Sequence, residues 1–123
     1  MLLFRLLLPA ALTLPLLSPA SAADPAAGAA YFKQHCALCH VVTPGARGSL
    51  APNLFGIGGT MSGVGDFTFS NALKAAKIKW DATTLDTFLA APSKTVPGTR
   101  MITAIPDDTS RRDVVSYLLT LKK

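Results

Sequence analysis

Two cysteines and a histidine fall within five consecutive residues, Cys36-Ala37-Leu38-Cys39-His40, and their spacing constrains the fold more than any other feature. Side chains three and four positions apart on a helical turn lie on one face, so these three can reach a single flat ligand. A C-x-x-C-H run is typical of a haem c attachment site, where the thiols form thioethers and the imidazole binds iron. The sequence therefore predicts a fold built around one covalent haem c.

Two other chemistries also use closely spaced cysteines. A thioredoxin-like redox pair requires a βαβ context, and no alternating strand pattern surrounds the motif. A zinc site requires four ligands, and the only other histidine is His35. Because Cys36 and Cys39 are the two cysteines of the chain, neither is left over for a structural disulfide.

The first residues have the pattern of a secretory signal. Arg5 precedes an apolar stretch, Leu6–Leu17, and small residues occupy positions 20 and 22. This order matches a charged n-region, an apolar h-region and an A-x-A cleavage site. We predict cleavage between Ala22 and Ala23.

The alternative for this segment is an uncleaved membrane anchor. The apolar stretch is shorter than the roughly 20 residues that span a bilayer, and Pro9 and Pro15 interrupt it. The sequence therefore predicts a signal peptide over residues 1–22 and one domain over 23–123. The domain is expected in the periplasm, without stable membrane insertion.

The charge of the chain limits its partners. Twelve Lys and Arg face seven acidic residues, and removing Arg5 with the signal peptide leaves a net charge of about +4. Such a surface suits an acidic protein or an anionic membrane. No aromatic residues interleave with the basic ones, which argues against nucleic acid. No Ser-His-Asp set, carboxylate pair or phosphate-binding loop suggests an enzyme.

Capping residues predict an all-α fold of short helices. The first predicted helix is capped by Asp24 and runs from Pro25 to about Ala37, and the second runs from about Ser70 to Lys79. The third is capped by Asp81 and runs from Ala82 to about Ala90, where Pro92 stops it. The last is capped by Asp107 or Asp108 and runs to about Leu121. The last helix is expected to turn Val114, Val115, Leu118 and Leu119 toward the core. Residues 41–69 are rich in glycine and proline and have no helical period. A loop this long is uncommon, and we expect it to pack on the prosthetic group.

An iron held by His40 has a sixth position that a methionine can fill. Met61 lies in a glycine-rich loop with no rigid neighbour predicted, whereas Met101 ends the segment Pro97-Gly98-Thr99-Arg100-Met101. A methionine this close to a helix start is also a common core residue. Beside a C-x-x-C-H motif we predict that Met101 is the axial ligand, because His/Met ligation raises the reduction potential and suits electron transfer.

The motifs together resemble those of a class I cytochrome c of the mitochondrial and purple-bacterial soluble type. The resemblance covers residues 24–123 and also includes, besides the haem motif, Gly28, Phe32, Pro52-Asn53-Leu54, Gly56, Trp80, Pro97–Met101 and Tyr117. It implies a small cytochrome c fold, in which short helices and long loops wrap one covalently attached haem. In such a fold Gly28 and Phe32 cross the last helix at Val114 and Tyr117.

The resemblance also implies roles for individual residues. The Pro52 carbonyl would accept the His40 Nδ1 proton, and Met101 would supply the axial sulfur. Trp80 would hydrogen-bond one haem propionate, and Thr99 the other. Five positions depart from the mitochondrial pattern by losing polar or aromatic groups, namely Thr60, Phe69, Leu73, Phe88 and Thr103. We therefore expect a more solvated propionate edge.

The function implied is a soluble periplasmic one-electron carrier, expected to be a monomer that meets a membrane oxidoreductase, an oxidase or a reaction centre. The alternative is the electron-entry haem subunit of a periplasmic oxidoreductase, which would co-purify with a larger partner. A gas sensor would need an open sixth position and would lack the ferric sulfur-to-iron band. Charges expected near the haem edge are basic at Lys33, Arg47, Lys94 and Arg100 and acidic at Asp107 and Asp108.

Overall fold

The computed structural model describes residues 11–17 and 22–122. Within these ranges the regular elements are five helices and no strand. In chain order the helices are α1 (Pro25–His35), α2 (Asn71–Ala76), α3 (Ala82–Ala90), α4 (Pro92–Thr95) and α5 (Asp108–Thr120). The all-α prediction is confirmed. No helix in the described part of the chain is long and apolar enough to cross a membrane.

Helix α1 begins and ends for local reasons. The Asp24 side chain accepts hydrogen bonds from the backbone N–H groups of Ala26 and Ala27, at 2.9 and 3.3 Å. Pro25 occupies the first helical position, where a missing N–H costs nothing. The helix ends at His35, two residues before the predicted end, because the chain turns at Cys36 to form the cysteine motif.

Helix α2 is shorter than the sequence predicts. The Ser70 hydroxyl caps it by accepting from the Leu73 N–H at 3.1 Å. The helix ends at Ala76, since Lys77 adopts a left-handed conformation with φ +52°. The predicted extension to Lys79 is therefore wrong.

Proline both ends α3 and starts the next helix. Asp81 and Thr84 form a reciprocal capping box at the start of α3, and the helix stops at Ala90 before Pro92, as predicted. Pro92 then lies in the first turn of α4, a helix that the sequence analysis missed. Proline tolerates that position because no helical N–H is needed there.

The crossing of α1 and α5 organises the core. A Cβ on Gly28 would overlap the Asp113 carbonyl oxygen and lie 2.9 Å from Tyr117 Cβ, so only glycine allows this approach. The Phe32 and Tyr117 rings lie 5.6 Å apart between centroids. The buried core consists of Phe32, Trp80, Leu85, Phe88, Leu89, Val96, Ile105, Val114, Val115 and Leu118. Leu119, predicted with them, is half-buried.

The segment 41–69 contains no helix and adds no apolar side chain to the buried core. Its single buried residue is Ser62, 2% exposed. The Ser62 hydroxyl accepts from the Ile78 N–H at 2.9 Å, and the Ser62 N–H donates to the Ile78 carbonyl at 2.7 Å. The loop is thus fixed mainly by backbone hydrogen bonds and has little protein core of its own.

Candidate haem-binding site

The cysteine motif forms a tight turn directly after α1. The backbone N–H groups of Cys39 and His40 both donate to the Cys36 carbonyl, at 3.1 and 2.9 Å. Both cysteines are free thiols, Cys36 half-buried and Cys39 exposed. Burial, with a smaller contribution from the charge of Cys39, raises the pKa of Cys36. The pair is therefore available for covalent attachment.

The His40 imidazole is fixed in one tautomer. Its Nδ1 lies 2.8 Å from the Pro52 carbonyl oxygen, which can only accept a hydrogen bond, so Nδ1 carries the proton. The lone pair of Nε2 is then free to bind a metal. Burial lowers the pKa of His40, and the bond to Pro52 opposes this only in part. The neutral imidazole that a metal requires is favoured.

Asn53 positions the carbonyl that orients His40. Its amide nitrogen donates to the carbonyls of Thr43 and Ala46, each at 2.7 Å. Its amide oxygen accepts from the Phe55 N–H at 2.9 Å. Pro52-Asn53-Leu54 is part of the predicted motif set, but no role was predicted for Asn53. The available signal was an asparagine directly after the proline whose carbonyl orients His40.

Met101 lies in a loop whose two ends are anchored in the core. On one side Val96 is 3% exposed, and its carbonyl accepts from the Thr99 N–H at 3.0 Å. On the other side Ile105 is also 3% exposed, and its N–H donates to the Leu89 carbonyl at 2.8 Å. Met101 is half-buried and packs against the same core cluster as Cys36. Thr99 is half-buried in the turn before it.

Trp80 is buried, 6% exposed, with its ring T-shaped against Phe88 at 5.2 Å. Its backbone is paired with the glycine-rich loop, since Gly59 N–H donates to the Trp80 carbonyl at 2.7 Å and Trp80 N–H to the Thr60 carbonyl at 2.9 Å. The phenyl ring at position 88, where the family has a tyrosine, therefore contributes to the core around Trp80.

Met61 is also held in place, contrary to the sequence-based interpretation. It lies in an isolated antiparallel bridge opposite Lys79. Its side chain is 40% exposed. The prediction that Met61 has no rigid neighbour is wrong because the pairing partner lies eighteen residues away in the chain, beyond the reach of local patterns.

Several charges that were expected near the haem edge have partners within the protein. Arg47 forms an exposed ion pair with Asp66 at 3.5 Å, and Arg100 donates to the Thr68 carbonyl at 2.7 Å. Asp107 caps α5 by accepting from the Ser110 N–H at 2.8 Å. Asp108 pairs with Arg111 at 2.7 Å.

The donor set fits a haem better than a bare metal ion. The described residues contain no cluster of three or more His, Cys, Asp or Glu side chains that could hold a metal. What they offer is two free thiols, a neutral imidazole with one nitrogen committed to Pro52, and a thioether at the core surface. Thiols and axial nitrogen and sulfur ligands are the groups that a haem c uses.

Comparison with known proteins decides the family. The cytochrome c family model matches residues 25–122. The chain belongs to the cytochrome c family. Cytochrome c of Theileria annulata is 40% identical over 96 residues, covering 77% of this chain and 84% of the relative. Cytochrome c2 of Rhodoblastus acidophilus is 36% identical over 103 residues, covering 82% of this chain and 95% of the relative.

A solved structure shows the same fold for a bacterial member of the family. Cytochrome cH from Methylobacterium extorquens superposes with a TM-score of 0.73 at 37% identity, covering 79% of this chain and 98% of that one. This cytochrome c is therefore an electron carrier, not an enzyme. It binds one covalent haem c through its cysteines, which are Cys36 and Cys39.

Proposed function

We propose that this cytochrome c is a periplasmic one-electron carrier in which His40 and Met101 ligate the haem iron. The observation that carries the proposal is the hydrogen bond of 2.8 Å between His40 Nδ1 and the Pro52 carbonyl. It leaves His40 Nε2 as a lone-pair donor beside the two thiols. When bound, the haem supplies a ferric/ferrous couple.

Each residue of the site has a defined task in this proposal. Cys36 and Cys39 hold the cofactor covalently, and Pro52 keeps the imidazole oriented. Met101 would supply the sulfur ligand from a loop that is anchored in the core at Val96 and Ile105. Trp80 and Thr99 would donate hydrogen bonds to the two propionates. With both axial positions filled, the protein conducts electrons and excludes exogenous ligands.

The leader supports a periplasmic location. Residues 11–17 contain no helix, and Leu12, Leu14, Leu16 and Leu17 are between 78% and 98% exposed. Apolar side chains that are exposed and lie outside the domain core are consistent with a removable signal peptide. Residues 1–10, which include Arg5 and the first half of the apolar stretch, and residues 18–21 lie outside the described residues. The mature domain would begin at Ala23, one residue before the Asp24 cap of α1.

The partner would be a redox protein that docks at the haem edge. An overall basic chain favours an acidic docking surface, but Arg47 and Arg100 already have internal partners. Lys33 and Lys94 would then contribute more than these two arginines to the electrostatic attraction for the partner. Surface charges are screened beyond about 8 Å at physiological salt, so they act mainly on the association rate.

The test is a pair of methionine variants of the haem-loaded protein. Met101→Ala is expected to remove the ferric sulfur-to-iron absorption band, lower the reduction potential and open the iron to carbon monoxide in the ferrous state. Met61→Ala is the matched control and is expected to keep the band. Loss of the band in Met61→Ala together with its retention in Met101→Ala would overturn the ligand assignment.

A further inference from the structure

Arg111 makes an unusual set of contacts for a residue at the start of α5. Its Nε donates to Asp86 of α3 at 2.8 Å, and its Nη2 donates to Asp108 at 2.7 Å. Its Nη1 donates to the carbonyls of Ile105 and Pro106, at 3.0 and 3.3 Å. The side chain is only 11% exposed. An ordinary ion pair on the surface of α5 would leave the arginine side chain exposed and would not include hydrogen bonds to two backbone carbonyls.

These contacts converge on one end of the loop that carries Met101. Ile105 is four residues beyond Met101, and it joins the loop to the core through its side chain and its N–H. The residues between them are exposed, Ile102 at 75%. The position of the loop therefore depends on its two buried ends. At one end, Arg111 of α5 hydrogen-bonds the carbonyls of Ile105 and Pro106 and also Asp86 of α3.

We propose that Arg111 is a positioning residue for the axial ligand, and that its contacts act as a clamp that holds the Met101 loop against α3 and α5. The inference rests on the proposed ligation by Met101. The planar guanidinium satisfies two carboxylates and two carbonyls from fixed directions, which a lysine ammonium cannot do. Loss of the clamp would let the loop open locally while the α1–α5 core stays folded.

The test uses Arg111→Lys, which keeps the positive charge but removes the planar guanidinium and its several N–H donors. In the ferric haem-loaded protein we expect imidazole to displace the sulfur ligand about tenfold more readily, which corresponds to about 1.4 kcal/mol. The midpoint at which guanidinium removes the sulfur band should fall further than the midpoint of helix loss measured by circular dichroism. A second variant, Asp86→Asn, keeps the carbonyl contacts and should show a smaller change in the same direction.

Two control variants separate local opening from general instability. Arg112→Lys makes the same change at the neighbouring exposed position of α5 and should leave imidazole binding within about twofold of the wild type. Val115→Ala removes buried core volume from α5 and should lower both guanidinium midpoints together. If Arg111→Lys behaves like Val115→Ala, or like Arg112→Lys, the clamp is refuted.

An independent readout is hydrogen exchange at the Ile105 amide, which donates to Leu89. In Arg111→Lys this amide should exchange about tenfold faster while the amides of α1 and α5 keep their protection. Unchanged exchange at Ile105 overturns the proposal. A wild-type ferric protein without a sulfur band would instead refute Met101 ligation, while faster exchange in the variant would still demonstrate the anchoring role of Arg111.

Discussion

At the scale of single residues, the site depends on hydrogen bonds that fix polar backbone groups. His40 is oriented by a carbonyl, and that carbonyl is in turn positioned by the three hydrogen bonds of the Asn53 side chain. The proline itself has no N–H through which a neighbour could hold it. The orientation of His40, the proposed iron ligand, therefore depends on Asn53, the residue after the proline that His40 contacts.

Replacing Asn53 with Ala should destabilise the haem-loaded protein by about 2–3 kcal/mol, since each hydrogen bond contributes about 1 kcal/mol. Guanidinium unfolding followed at the haem absorption measures the change. Asn71→Ala is the matched control, because Asn71 is exposed at the start of α2, and it should cost less than about 0.5 kcal/mol. Equal effects of the two variants would refute the role of Asn53.

At the scale of the elements, helix starts are determined locally and helix packing is not. The caps Asp24, Ser70 and Asp81 were predicted from residue type alone, and all three accept hydrogen bonds from their helices. For the last helix the prediction was Asp107 or Asp108, and the structure has Asp107 as the cap. Helix ends were less accurate: α1 and α2 both end before their predicted last residues. The ends depend on where the next segment of the chain must turn, which local propensity does not encode.

Gly28→Ala should separate α1 from α5, because a Cβ there overlaps the Asp113 carbonyl oxygen. We expect the free energy of unfolding to fall by about 3 kcal/mol, at the upper end of the range for overpacked sites, although alanine has the higher helix propensity. Gly58→Ala is the control: its new Cβ meets only the flexible Leu119 side chain, at 3.0 Å, so the change should stay within about 1 kcal/mol. Thermal melts of the loaded variants measure both, and equal melting temperatures would contradict the crossing argument.

The cap of α3 should give the protein part of its acid sensitivity. Hydrogen bonds from the backbone and side chain of Thr84 lower the pKa of Asp81. A carboxylate with a lowered pKa stabilises the fold above its ordinary pKa, and that stability is lost as the pH falls through the folded pKa. Asp81→Asn should therefore lower the melting temperature most at pH 6, with a smaller difference from wild type at pH 3.

The comparison for this pH effect is Asp66→Asn, which removes an equal charge from the exposed pair with Arg47. At pH 6 its melting temperature should stay closer to that of the wild type than the melting temperature of Asp81→Asn does, because an exposed ion pair contributes little to stability. A constant difference between Asp81→Asn and wild type between pH 6 and pH 3 would show that the cap does not contribute to acid sensitivity.

At the scale of the whole molecule, we expect the haem to act as part of the core. The segment 41–69 makes up a large share of the domain, yet its apolar side chains are half-buried or exposed, with Leu50 at 76% and Val64 at 69%. A loop of this length without regular structure needs something to pack on. We expect the covalent haem c to be the group on which this segment packs.

Replacing both Cys36 and Cys39 with Ser should give a haem-free chain that is largely unfolded, with weak helical circular dichroism and no cooperative melt. The single variant Cys36→Ser is the control. It keeps one thioether, and we expect it to fold with its haem at reduced stability. A sharp thermal transition in the haem-free double variant would show that the protein core alone specifies the fold.

The haem-attachment motif and most of the helix starts could be predicted from the sequence, because both depend on residues within one or two helical turns. Cys36, Cys39 and His40 form one turn, and each cap acts on the first turn of its own helix. The contacts of Met61 and Arg111, in contrast, could be identified only from the folded chain. Met61 is paired across eighteen residues and Arg111 with Asp86 across twenty-five, and contacts at such separations depend on the path of the chain between them, which no local pattern records.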